Sequence, residues 1–355
     1  MRSKKEIIEA FDPNAPASYD SLFGLPFDED HADLIILPAP WEVTVSYRSG
    51  TSNAPEAILA ASRQVDLDLP NIKEAWTMGF HMLPVSEELK EENSKYRDLA
   101  KQYIDWLDGS EETVILDSLK IIPRAIDEIC EKLNIFIKSQ ALKYLGRNKM
   151  VGLVGGDHST SLGLIHACTK AFGNVGILQI DAHADLRETY QDFTYSHASV
   201  MHNALKNKKV SKLVQVGVRD FCKEERDLIR NSESRVVTFF DQDLKRDQYS
   251  GKSWMKICDE IIAELPEKIY LTVDIDGLEP KLCPNTGTPV PGGLEFFELV
   301  FLLETLVKSG RTIVGFDLVE IGPKPDEWDA NVGARLLYYI GSLAGVSQGK
   351  LSFAD

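Results

Sequence analysis

Apolar residues recur along this chain in two rhythms. Short continuous runs at 33–38, 149–154, 175–180, 212–218, 235–240, 268–273 and 312–316 read as buried β-strands. Between them, apolar residues return every three or four positions, the period of a helix with one buried face. Ser52-Asn53 followed by Pro55-Glu56 marks a helix start, with a capping residue, an early proline and acid favourable to the helix dipole. The segment 86–107 predicts a charged surface helix, broken by Ser110-Glu111-Glu112. Pro123 opens a second long helix, with Ile122, Ile126, Ile129, Leu133 and Phe136 on one stripe. Further helices are expected at 161–172, from Ser196-His197-Ala198 through Leu205, and at 253–265, 295–308 and 331–342. Strands alternating with helices predict an α/β fold with a mostly parallel sheet covered on both faces. The polar, proline-containing stretch 1–30 predicts an N-terminal arm or surface wrap. No repeat, low-complexity tract or linker divides the rest, so 31–355 is expected to be a single domain.

Composition narrows the function classes. With 43% hydrophobic residues a large core is available and disorder is not expected. A net charge of −16 argues against nucleic acid or an anionic membrane as partner. Five cysteines without regular spacing predict reduced thiols, no zinc motif, and a cytoplasmic protein. The N-terminus lacks the long apolar core of a signal peptide, and no apolar run approaches membrane-spanning length.

The candidate chemistry sits where strands end. The run 175–180 stops abruptly at Asp181-Ala182-His183-Ala184-Asp185. If the chain stays extended, side chains two apart share a face, so Asp181, His183 and Asp185 converge. Two carboxylates in one crevice repel unless a cation lies between them, and oxygen plus imidazole suits Mn²⁺ and its neighbours. A solvated loop with scattered charges is the competing reading of this stretch alone. Three other strand ends repeat the pattern: Gly155-Gly156-Asp157-His158, Asp274-Ile275-Asp276, and Asp317-Leu318-Val319-Glu320. In open parallel sheets, ligands bind outside the carboxyl ends of the strands. Four carboxylates and two imidazoles, His158, Asp181, His183, Asp185, Asp274 and Asp276, fit two divalent ions sharing bridging carboxylates.

GGDHS at 155–159, DAHAD at 181–185, SHA at 196–198 and VDIDGLEP at 273–280 resemble, in that order, the ureohydrolase superfamily of arginase, agmatinase and formimidoylglutamase. SYRSGTSNAPEAI at 46–58 and NTGTPVPGG at 285–293 extend the resemblance, the latter towards agmatinases. It implies a three-layer α/β/α sandwich, hydrolysis of a linear guanidino or amidino C–N bond with release of urea, and a homo-oligomer, trimer or hexamer. It implies two Mn²⁺ ions, for which Ni²⁺ or Co²⁺ could substitute. One would be held by His158, Asp181, Asp185 and Asp274, the other by Asp181, His183, Asp274 and Asp276. By the same resemblance His197 relays a proton, and Glu320 grips the guanidinium group. Asp185 is also placed to orient the attacking nucleophile.

Substrate choice departs from the family's patterns. Agmatinases commonly have glycine where this chain has Ala198, and the asparagine and serine with which arginases hold an amino acid are absent from 186–189. Arg187 is the informative change, since a cation at the pocket mouth attracts a carboxylate and repels an amine. Guanidino acids, agmatine-like amines and free guanidine all remain open. The same machinery acting on a formimino substrate would release formamide, and a catalytically silent binding protein is the alternative from another class. Intact ligand, His197 and Glu320 positions argue against silence. His202 and His166 read as ordinary helix residues.

Overall fold

Each apolar run becomes a strand, and one short strand escapes the pattern. The computed structural model of the chain describes residues 2–109, 119–322 and 327–354. Its strands are β1 (Leu34–Ala39), β2 (Phe80–Met82), β3 (Met150–Gly155), β4 (Val175–Ile180), β5 (Val210–Val216), β6 (Val236–Phe239), β7 (Lys268–Asp274) and β8 (Thr312–Val319). They form one sheet in the order β2-β1-β3-β8-β7-β4-β5-β6. Every pairing is parallel. Parallel pairing needs crossovers, and these are supplied by α2 (Ala54–Ser62), α3 (Glu87–Leu107), α4 (Ile122–Leu145), α5 (Ser161–Phe172), α6 (Val200–Leu205), α7 (Lys223–Asn231), α8 (Asp241–Tyr249), α9 (Trp254–Ala263) and α10 (Phe296–Lys308), with α1 (Lys4–Ala10) before the first strand and α11 (Trp328–Ser347) after the last. Helices α3, α4 and α5 pack together over one face, and α2, α10 and α11 over the other. The result is a three-layer α/β/α sandwich. Both faces are covered, so the central strands are apolar without alternation.

The differences from expectation have physical reasons. Strand β2 is only three residues long, too short to leave a pattern. Helices α7 and α8 bury little, so they lack the apolar stripe that marks α4. On α4 the buried stripe runs Ile126, Ile129, Leu133 and Ile137, while Phe136 is largely exposed; from Leu133 the i+4 step leads to Ile137. Strand β8 does not stop at 316 but runs to Val319, because Asp317 is accommodated inside the sheet by hydrogen bonds from Tyr270 and Thr272. The break expected at Ser110-Glu111-Glu112 lies outside the described residues.

Within 1–30, α1 is opened by a reciprocal Ser3–Glu6 capping box and only half-buries Ile7 and Ile8 against the core. The following segment turns inward. Leu22, Phe23, Leu25 and Phe27 are buried, and the Phe23 ring packs on Phe80 and Tyr338. Among the described residues, no helix is long and apolar enough to cross a membrane.

Candidate metal centre

The sheet order brings the predicted residues together. Strands β3, β8, β7 and β4 are consecutive neighbours, and their carboxyl ends carry His158, Glu320, Asp274 with Asp276, and Asp181 to Asp185. After β3 the backbone passes directly against another segment: a Cβ on Gly156 would lie 1.9 Å from the Trp41 carbonyl oxygen. Close approach is therefore what the second glycine of GGDHS provides. Asp157 turns away from the cluster and caps the next turn, its carboxylate accepting the Ser159 N–H at 3.0 Å. His158 is left facing the strand ends.

Two ligand groups form around one shared carboxylate. Among the described residues, His158, Asp181 and Asp185 bring ligand atoms within 4.8 Å of one another, and so do Asp181, His183 and Asp276. His158 Nδ1 lies 3.1 Å from Asp181, 2.9 Å from Asp185 and 3.5 Å from Asp274. His183 Nδ1 lies 3.1 Å from Asp276 and 3.6 Å from Asp181. Asp181 thus belongs to both groups. Asp274 belongs to neither triad, and its other oxygen accepts the Asp276 N–H at 2.9 Å. The chain does not stay extended to Asp185, whose φ is 54°; a left-handed turn delivers its carboxylate to His158 while His183 goes to Asp276. Glu320 is also left-handed, at φ 62°, and its carboxylate accepts the His158 N–H at 2.9 Å. Two non-glycine residues held this way at one site store strain there.

The electrostatics favour divalent cations. Burial raises the Asp185 carboxyl, the Asp181 charge adds to it, and the group sits at about 7. Burial with Asp276 and Asp181 pushes Asp274 well above the carboxylate range. Burial alone would depress His183, but Asp276 and Asp181 outweigh it and hold the imidazole up at about 12. The cluster therefore retains protons where cations would relieve the same repulsion. Burial alone would depress His158 as well, but Asp181, Asp185 and Asp274 around its buried Nδ1 hold the imidazole well above its ordinary value. A divalent cation would take the place of the proton held among these carboxylates, and the oxygen-plus-imidazole set fits Mn²⁺.

A pocket of ≈ 490 Å³ opens over the cluster, lined by His158, His183, Asp185, Asp274, His197 and Glu320 at its base. His197 is driven down to about 3 by burial and by the neighbouring His183 and His158, so it is neutral at physiological pH, unlike a histidine titrating near neutrality. Its backbone N–H bonds Thr44 Oγ1 at 3.3 Å. The 285–293 loop roofs Glu320: Thr286 Oγ1 donates to the Glu320 carbonyl at 2.7 Å, and a Cβ on Gly287 would come within 3.3 Å of the Glu320 carboxylate. Arg219 pins this loop, donating to the carbonyls of Val290 at 3.0 Å and Asp276 at 2.6 Å. At the rim, the Arg187 guanidinium stacks over the Tyr190 ring at 5.0 Å, and the Tyr190 and His197 rings meet nearly at right angles.

The arginase family model matches residues 32–341. The chain belongs to the arginase family. It is 31% identical over 328 residues to the N(1)-aminopropylagmatine ureohydrolase of Thermus thermophilus, covering 92% of this chain and 94% of the relative. It is 28% identical over 324 residues to the agmatinase of Neisseria meningitidis, covering 88% and 89%. The crystal structure of the agmatine ureohydrolase of Thermoplasma volcanium superposes with a TM-score of 0.68 at 22% identity, covering 97% and 99%, and shares the fold. The ligand cluster and the family fold support a metal-dependent ureohydrolase-type enzyme.

Sequence reasoning about this arginase-family site missed Tyr190, which the structure places between Arg187 and His197. It also missed Gln179, Gln215, Thr272 and Asp317, fully buried polar residues beneath the cluster. Their signal was available: each is a polar side chain next to apolar residues in the buried part of a strand.

Proposed function

We propose that this arginase-family protein hydrolyses the terminal C–N bond of a linear guanidino compound and releases urea, using two Mn²⁺ ions. The observation that supports this most is the pair of ligand triads sharing Asp181. His158, Asp181, Asp185 and Asp274 would hold one ion, and Asp181, His183, Asp274 and Asp276 the other. When bound, such ions lower the pKa of water and so supply a nucleophile at neutral pH. The protein's own groups do the rest. Burial and the charge of Asp157 hold Glu320 well above the carboxylate range, so an arriving guanidinium provides the counter-charge that ionises it and is fixed in plane. Asp185 accepts a hydrogen bond from the nucleophile and aims it. His197, neutral, takes a proton on one ring nitrogen and releases one from the other towards the departing amine.

The tail of the substrate meets the rim. Arg187, stacked on Tyr190, favours a carboxylate-ended guanidino acid. A second reading, an amine-ended substrate, is favoured by the activities in the relatives' names and by exposed Asp220 on the same rim. The free cysteines suit a reducing cytoplasm, and family resemblance suggests a homo-oligomer. The test is metal content of the purified protein together with urea or formamide release from guanidinobutyrate, agmatine, arginine, guanidine and formimidoylglutamate. Two equivalents of metal with urea release support the proposal. No metal and no turnover overturn it in favour of a silent binding protein, and formamide release overturns it in favour of a formimino substrate.

A further inference from the structure

One residue layer below the cluster, a polar row crosses the sheet. Asp317 on β8 is in register with Thr272 on β7, Thr272 with Gln179 on β4, Gln179 with Gln215 on β5, and Gln215 with Thr238 on β6. Residues paired in register point to the same face, so these side chains meet. Asp317, Thr272, Gln179 and Gln215 are at 0% exposure, where polar groups are costly unless bonded, and the bonds at the β7–β8 end have a set direction. Tyr270 Oη donates to one Asp317 oxygen at 2.6 Å, and Thr272 Oγ1 donates to the other at 2.7 Å. Thr272 Oγ1 also lies 2.8 Å from His158 Nε2.

The direction of those bonds fixes a proton. A hydroxyl has one hydrogen, and a carboxylate can only accept. The Thr272 hydrogen is committed to Asp317, so its oxygen presents a lone pair to His158, and Nε2 must carry the hydrogen. The nitrogen left bare in neutral imidazole is Nδ1, the atom that faces Asp181, Asp185 and Asp274 at 2.9–3.5 Å. We propose that Asp317 and Thr272 are positioning residues that lock His158 into the tautomer whose Nδ1 binds metal. Neither touches substrate. The idea rests on the metal-centre reading of the site and adds to it the device that keeps one ligand competent.

The test is a manganese titration of metal-stripped protein, with free Mn²⁺ followed by electron paramagnetic resonance. The parent should take up two equivalents. Thr272→Val, of nearly equal shape, should bind one equivalent as the parent does and the other about 10–100-fold more weakly, the usual effect of losing a partner behind a ligating histidine. Asp317→Asn should act alike, because an amide N–H facing Thr272 turns the hydroxyl hydrogen onto Nε2. Thr272→Ser keeps the hydroxyl and should restore parental binding. Tyr270→Phe removes the other donor to Asp317 and should leave metal affinity at the parental level. A parent that binds no manganese would overturn the metal-centre reading itself. A parent that binds two, with Thr272→Val and Asp317→Asn binding two equally well, would overturn this inference alone. So would Tyr270→Phe weakening metal as much as Thr272→Val, since the row would then be acting only as structure.

Discussion

Replacing Arg187 with alanine separates recognition from scaffolding at the pocket mouth. In the resting protein its guanidinium stacks over Tyr190 at 5.0 Å, and its Nε lies 3.9 Å from a Glu225 oxygen. Glu225 is already occupied by the backbone N–H groups of Leu186 and Cys222, at 3.0 and 2.8 Å, so Arg187 is not needed to neutralise it. An exposed cation–π contact contributes about 0.5–1 kcal/mol, and an ion pair stretched this far in a half-open site contributes little. Stability should therefore fall by no more than about 1 kcal/mol. Against a carboxylate-ended substrate the same cation forms a charge-assisted hydrogen bond. The side chain is 37% exposed, so the upper part of the usual range is screened away and about 1–2 kcal/mol remains. That is a loss of about 5–30-fold in kcat/KM for guanidinobutyrate. Agmatine, repelled by the same charge, should be unchanged or improved. The assay is urea release from both substrates by parent and variant, with a thermal melt alongside. An Arg187→Ala enzyme that keeps the parent's substrate ranking refutes the reasoning.

Asp181→Asn should cost both metal ions, because Asp181 is the only residue in both triads; elemental analysis showing one ion fully retained would count against its shared position. His197→Ala should lower turnover while metal content stays parental, and loss of metal instead would make it a ligand. The His197 imidazole, ordinarily near 6.5 and held at about 3 in the fold, stays neutral while an unfolded histidine charges. Its contribution to stability is therefore lost as pH falls below 6.5, so between pH 7 and 5 the parent should lose up to about 2 kcal/mol relative to His197→Ala in urea melts, whatever the other groups of the cluster add to both. Gly156→Ala should destabilise by about 3 kcal/mol, since its methyl meets the Trp41 carbonyl and not a side chain that could move; an unaltered denaturation midpoint would contradict that clash.

What the sequence disclosed follows from how each feature is encoded. The strands carrying the site are largely apolar runs followed by charge, so the strands and the charged residues beyond them were legible, the end of β8 excepted. His158, Asp181, His183, Asp185 and Asp276 all reach the cluster. The order of strands was not legible, because parallel register is set by packing between segments as far apart in the chain as Gly152 and Phe316. Left-handed turns at Asp185 and Glu320 were hidden too, since neither residue is a glycine and only the tertiary cage enforces them. Phe136 was misassigned to the stripe because two adjacent apolar residues, 136 and 137, leave the helical phase ambiguous by one position. Asp317 was read as a residue beyond a strand because a carboxylate inside a sheet makes sense only once Tyr270 and Thr272 are seen donating to it.

The placement of β7 and β8 also orders events in time. Those two strands separate β3 from β4 in the sheet, yet they come from residues 268–319, long after both flanks have been synthesised. Three strand spacings put β3 and β4 about 14 Å apart in the finished sheet. Contacts of such long sequence separation are slow to form, since the intervening chain must be closed before they contribute. His158 and Asp181 acquire their final spacing only when the late strands have wedged between their own. Manganese uptake by a refolding chain would therefore time the filling of the sheet's middle, and not the formation of either flank.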